Sequence, residues 1–153
     1  QGLTQFVPTR MRMNILRRAK GITILDDTYN ANPQSMRAAV SVLADGPGRK
    51  KIAVLGDMLE LGPFSPALHY EVGECLGRAG IHCLVAVGEQ SREMARGAEA
   101  AGVPEVHACD SREEAEALLP QVLEPDSTVL VKASRGMKLE ALTQRLLELA
   151  PEH

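Results

Sequence analysis

The strongest constraint on this chain is its rhythm. From residue 13 onward, short apolar runs alternate with stretches whose apolar residues recur at helical spacing. The runs cover 13–16, 22–25, 52–55, 83–87 and 128–131, with a shorter one at 106–108. Between them, Met36, Ala39, Val40 and Leu43 fall at i, i+3, i+4 and i+7, and Leu139, Leu142, Leu146 and Leu149 make a second stripe. Residues at that spacing share one helix face, whereas runs of four or five apolar residues suit strands buried on both sides. Further helices are expected over 66–79, 90–101 and 112–120. Strand-helix alternation at this pace predicts an α/β three-layer sandwich with a mainly parallel sheet of about six strands. Residues 13–19 and 21–25 are close enough in sequence to pair as a hairpin at one edge.

The 153 residues suit one domain with a real core. A net charge of −3 gives no general attraction to nucleic acid or an anionic membrane. Cys75, Cys83 and Cys109 are scattered, without metal-ligand or redox spacing, and read as reduced thiols. No apolar run approaches the ~20 residues of a membrane span. Residues 1–12, with Pro8 and the Arg10-Met11-Arg12 cluster, read as a linker, and residues 13–153 as the domain. The chain starts Gln1-Gly2-Leu3 and is expected to be a piece of a longer protein.

Ligands of open α/β sheets bind beyond the carboxyl ends of the strands, and the three most unusual segments all follow apolar runs. The first is Asp26-Asp27-Thr28-Tyr29-Asn30-Ala31-Asn32-Pro33. Asn32 suits a helix N-cap and Pro33 the first helical position. Capping does not account for the adjacent carboxylates or for Asn30, which fit a binding site as well as a polar loop. The second is Gly56-Asp57-Met58-Leu59-Glu60-Leu61-Gly62. It reads as a tight turn with a solvated acid or as a ligand loop, and His69 after it reads first as a structural residue. The third is Lys132-Ala133-Ser134-Arg135-Gly136. A helix is expected to begin near Gly136, and its free N–H groups, the Ser134 hydroxyl and the Arg135 guanidinium would together suit an anion. No G-x-x-x-x-G-K-[ST] phosphate loop and no G-x-G-x-x-G fingerprint occurs, so a complete ATPase or dehydrogenase is hard to build from this chain alone.

Taken together, the three segments resemble the C-terminal, Rossmann-like domain of the Mur ligase family over nearly the whole chain. Residues 26–33 resemble the DDxYNANP signature of the branch that uses D-Ala-D-Ala. Residues 56–62 resemble the family's GDMxELG segment, and 132–135 its VKGSR segment. The resemblance implies the last domain of an ATP-dependent amide ligase of cell-wall precursor synthesis, acting in the bacterial cytoplasm. That enzyme joins D-Ala-D-Ala to UDP-MurNAc-tripeptide through an acyl phosphate. It further implies a preceding N-terminal domain for the UDP-sugar and a central ATPase domain that holds most of the ATP phosphates and Mg²⁺. By itself the chain is then expected to be inactive, with no metal ligands of its own. Asp27 matches the carboxylate used on the ATP ribose, and Arg12, or next Arg10, the linker arginine that reaches the nucleotide. Asn30 and Asn32 would face the peptide cleft. Ser134 and Arg135 would receive the incoming carboxylate, with Lys132 and Asp57 as weaker substrate contacts. The family has Gly where this chain has Ala133, which matters if the backbone there needs a positive φ.

Three other readings are compatible with parts of the pattern. A stand-alone nucleotide-binding or regulatory module would lack an upstream phosphate loop. A protein-interaction domain would scatter the neighbourhoods of Asp27, Asn30 and Ser134. A sister Mur ligase would carry a His-containing motif in place of Asn30-Ala31-Asn32.

Overall fold

A computed structural model describes residues 13–27, 31–134 and 137–152. Among the described residues there are six strands, β1 (Asn14–Arg17), β2 (Thr23–Asp27), β3 (Lys50–Gly56), β4 (Cys83–Val87), β5 (Glu105–Cys109) and β6 (Ser127–Lys132). Five described α-helices separate or follow them, α1 (Pro33–Asp45), α2 (Ser65–Arg78), α3 (Ser91–Ala100), α4 (Arg112–Val122) and α5 (Glu140–Leu149). The strands form one sheet in the order β1-β2-β6-β3-β4-β5. All neighbours pair in parallel except β1, which runs antiparallel to β2 as the expected edge hairpin.

The runs that became β2, β3, β4 and β6 are covered on both faces, whereas the edge strands β1 and β5 are more open. Along β3, residues 51 to 56 are all buried, as are all five residues of β4. Alternate side chains feed two separate cores. Leu25, Ala53, Leu55, Leu84, Ala86 and Leu130 pack with α1, α2 and α3. Ile24, Ile52, Val54, Val85, Val129 and Val131 pack with α4 and α5. The stripe Met36, Ala39, Val40 and Leu43 is fully buried, as are Leu139, Leu142 and Leu146. Helix α1 starts where its cap residues require. Asn32 Oδ1 accepts from Ser35 N at 2.8 Å, Ser35 Oγ accepts from Asn32 N at 3.0 Å, and Pro33 opens the helix.

One expectation is refined. Helix α5 begins at Glu140, and Gly136 lies outside the described residues. Met137 stands in a 3₁₀ turn whose N–H donates to Ser134 O at 2.9 Å. Lys138 at φ +55°, a left-handed conformation, separates that turn from the right-handed α5. Among the described residues, no helix is long and apolar enough to cross a membrane.

Candidate functional site

The strand order places the candidate site. The loop after β2 leads to α1, and the loop after β3 leads to α2, on the same face of the sheet. The loop after β6, which lies between those two strands, leads to α5 on the opposite face. Neighbouring chain segments therefore diverge at the carboxyl end of β6. Such switch points open a crevice in α/β sheets. All three unusual sequence segments arrive there.

At the centre is an ion pair. Asp27 and Lys132 are the last residues of β2 and β6 and stand opposite each other in the register. Lys132 Nζ donates to Asp27 Oδ2 at 2.9 Å, and both side chains are 1% exposed. Among the described residues, the other carboxylate oxygen, Asp27 Oδ1, is buried and accepts no hydrogen bond. A buried polar atom left unpaired costs about 1–3 kcal/mol, so it calls for a reason.

Ser134 ties the motif loops together. Its backbone N–H donates to Asp57 O at 3.1 Å, and its Oγ accepts from Leu59 N at 2.9 Å. The hydroxyl proton points to Ala31 O over a long 3.5 Å. One side chain thus touches all three segments. Ala133 beside it is buried and absent from the residues with positive φ, so alanine meets no backbone strain there. Its methyl group instead limits its neighbour, because a Cβ on Gly56 would stand 2.7 Å from Ala133 Cβ.

His69 is structural, as its sequence context indicated. Its Nε2 lies 3.0 Å from Met58 N, a backbone donor, so Nε2 must be the acceptor. The proton then sits on Nδ1 and is donated to Ser65 O at 2.8 Å. The fully buried imidazole thereby pins the loop after β3 to the first turn of α2.

Asp57 is turned inward. Its Oδ1 accepts from Ser91 N at 2.8 Å and Ser91 Oγ at 2.7 Å, which caps the start of α3 from a neighbouring loop. Gly88, at φ +115°, makes room for it, since a Cβ there would lie 2.6 Å from Asp57 Oδ1. Sequence reasoning missed Ser91, and only the short side chain at a helix start hinted at it. Asn32 is exposed, and its carbonyl oxygen is committed to the α1 cap. Of the remaining candidates, Arg10, Arg12, Asn30 and Arg135 lie outside the described residues.

A second polar cluster lies at the opposite, amino edge of the sheet. Ligand atoms of Cys83, Glu105 and His107 all fall within 4.8 Å of one another. Sequence spacing gave no warning, because β4 and β5 meet only through the register that sets Cys83 beside Glu105. The residue types suit zinc, but His107 Nε2 and Glu105 Oε2 are hydrogen-bonded to each other at 2.8 Å. A cation already serves the cluster. Lys50 Nζ lies 3.5 Å from Glu105 and 3.0 Å from Glu124, and donates to Val122 O at 2.7 Å. Partial burial lowers the Lys50 pKa, but the hydrogen bond to Glu124 and the charge of Glu105 outweigh it and leave the pKa raised. The hydrogen bond with His107 holds Glu105 below its usual carboxylate value. Burial, and then the charge of Glu105, push the Cys83 thiol up to about 12.

Comparisons with known proteins show the family. Residues 11–135 match the family model described as Mur ligase, glutamate ligase domain. The chain is 39% identical over 148 residues to a UDP-N-acetylmuramoyl-tripeptide–D-alanyl-D-alanine ligase of Escherichia coli, covering 96% of this chain and 32% of that protein. Its fold matches a crystal structure of MurF from Acinetobacter baumannii with a TM-score of 0.81 and 34% identity, covering 94% of this chain and 31% of that one. It also matches MurF ligase from Thermotoga maritima in complex with ADP, with a TM-score of 0.73 and 26% identity over 95% of this chain and 32% of the other. The chain therefore spans about a third of the length of the relatives it matches, and it belongs to the Mur ligase family.

Proposed function

We propose that this chain is the C-terminal domain of an ATP-dependent ligase that joins D-Ala-D-Ala to UDP-MurNAc-tripeptide in peptidoglycan precursor synthesis. Residues 13–153 are the domain and 1–12 the linker from a central ATPase domain. The observation that carries the proposal is the meeting of three motif segments at one crevice, around a buried carboxylate with an oxygen that has no partner among the described residues. Asp27 Oδ1 is an acceptor suited to a ribose hydroxyl. It is covered in this conformation, so nucleotide binding requires its cover to move. Arg12, or Arg10, is the linker group assigned to the nucleotide. The ADP-bound Thermotoga relative supports the choice of ligand.

The reaction has two steps. A carboxylate oxygen of the tripeptide attacks the γ-phosphorus of ATP, and ADP leaves. The amine of D-Ala-D-Ala then attacks the acyl phosphate carbon, expels inorganic phosphate and loses a proton as the amide forms. This domain's residues bind and orient. Ser134 and Arg135 receive the dipeptide carboxylate. The long Ser134–Ala31 contact is the one a carboxylate can replace, while Leu59 N–H keeps the hydroxyl in place. Asn30 and Asn32 face the peptide cleft, where Asn32 has only its amide N–H groups to offer because its oxygen caps α1.

The fit to Mg²⁺ is poor within the described residues. The Asp27 carboxylate is paired with Lys132, and Asp57 is spent on Ser91. No step is therefore assigned to a metal here, and Mg²⁺ with the ATP phosphates belongs to the central domain. Asp57 acts on the substrates through the loop it holds, and Lys132 acts through Asp27.

The test is phosphate release by the full-length protein, supplied with ATP and UDP-MurNAc-tripeptide, with the amine substrate varied. D-Ala-D-Ala should support turnover on the order of 1–10³ per second, single amino acids should not, and this chain alone should release none. Equal turnover with a single amino acid would place the protein in a sister branch.

A further inference from the structure

We propose that Lys132 is a positioning residue for nucleotide binding, which aims Asp27 by gripping one of its two carboxylate oxygens. The inference rests on the reading of Asp27 as the ribose ligand and extends it to a residue buried out of a ligand's reach.

Three observations carry it. Lys132 is 1% exposed, and its ammonium is spent on Asp27 Oδ2 at 2.9 Å, so it is badly placed to touch substrate. The two residues end adjacent parallel strands in direct register, with β3 on the other side of Lys132, so the ammonium is held by the sheet and not by a mobile loop. Asp27 Oδ1 has no partner among the described residues, although it is buried.

Stability alone explains this arrangement badly. Burying an ion pair removes two charges from water, and well-packed apolar residues of similar volume are commonly as stable or more so. A stability device would also not leave one carboxylate oxygen unpaired. A positioning device has to. A carboxylate has two equivalent oxygens and rotates about its last bond. When one is clamped, the direction of the other is set before the ligand arrives. The ligand then finds an oriented acceptor and does not have to order it. A carboxylate acceptor also makes charge-assisted hydrogen bonds, which are the stronger kind.

The experiment uses the full-length ligase and compares ATP with 2′-deoxy-ATP and 3′-deoxy-ATP. In the wild type, loss of the hydroxyl that meets Asp27 raises KM for the nucleotide. Asp27→Asn should raise KM for ATP about tenfold and shrink the discrimination between ATP and that deoxy-nucleotide. Lys132→Met should do the same while KM for D-Ala-D-Ala stays within about twofold. General loosening of the fold would not selectively erase ribose discrimination. The Asp27→Asn/Lys132→Met double variant leaves no unpaired charge, and it serves if the single Lys132 variant does not fold. It should match Asp27→Asn in every parameter. Full ribose discrimination in Lys132→Met overturns the proposal. So does a double variant clearly worse than Asp27→Asn, or a rise in dipeptide KM that exceeds the rise for ATP. If Asp27→Asn itself keeps wild-type discrimination, the reading of Asp27 fails first and the role of Lys132 falls with it.

Discussion

Both edges of the sheet gather charged side chains, but they do so in opposite ways. At the amino edge, Cys83, Glu105, His107, Lys50 and Glu124 form a cluster that by residue type looks catalytic. Its polar groups satisfy one another, and its carboxylates stand open to water, with Glu105 38% and Glu124 60% exposed. Its thiol is pushed up to about 12, which leaves almost no thiolate near neutral pH. At the carboxyl edge there are fewer reactive residue types. Among the described residues one ion pair is buried, one carboxylate oxygen is unpartnered, and three sequence-distant loops are tied together by Ser134. Unmet bonding capacity at a chain crossing point is a better sign of a ligand site than a gathering of reactive residue types.

The contrast is tested most directly by removing one cation from each edge. Lys132→Met leaves Asp27 as an uncompensated buried charge and should destabilise the fold by about 3–5 kcal/mol. Adding Asp27→Asn should recover most of that loss. Lys50→Met breaks pairs whose carboxylates are solvated and should cost only about 1 kcal/mol. Urea unfolding of the wild type and the three variants measures all of this, and equal costs at the two edges would break the comparison.

A smaller effect is expected from Ser134→Ala. It deprives Leu59 N–H of its acceptor, a loss of about 1–3 kcal/mol. Hydrogen exchange at Leu59 should accelerate while the strand amides of β3 stay protected. Unchanged protection at Leu59 would mean that the loop is held by other contacts.

The smallest effect belongs to Glu105. Its pKa is lowered on folding, chiefly by the hydrogen bond with His107. A depressed carboxylate pKa stabilises the fold above the unfolded value near 4.5, and the benefit disappears as pH falls through the folded value. Solvent exposure keeps it below about 1 kcal/mol. The Tm gap between wild type and Glu105→Gln should therefore be visible at pH 7 and shrink as the pH falls below 4.5. A gap that widens in acid would reverse the sign and contradict the assignment.

Much of the molecule was legible in advance because it is written in local patterns. Apolar runs of four or five residues between amphipathic stripes can satisfy their backbone and bury both faces only as inner strands of an α/β sheet. The Asn32-Pro33 pair marks a helix start by its own chemistry, and α1 begins there. The placement of the three motifs after strand ends was equally readable, since it needs only the order of elements. The start of the last α-helix depended on a local detail too, because Lys138 in the left-handed region separates the turn at Met137 from α5, which begins at Glu140.

What the sequence could not specify is every relation that depends on strand order and register. Asp27 and Lys132 are 105 residues apart, and Leu59 and Ser134 are 75 apart. Nothing in the neighbourhood of either partner names the other. Asp57 looked ready for a ligand until α3 arrived beside it and took its carboxylate through Ser91. Cys83 and His107 showed no shared spacing until β4 and β5 were laid side by side. The sequence by itself determined the elements, their buried faces and the family, because periodicity and short motifs act within a few residues along the chain. The tertiary structure decided which charge neutralises which and which oxygen is left over. Those outcomes follow from insertion of β6 between β2 and β3, a non-local packing choice made by the whole core at once.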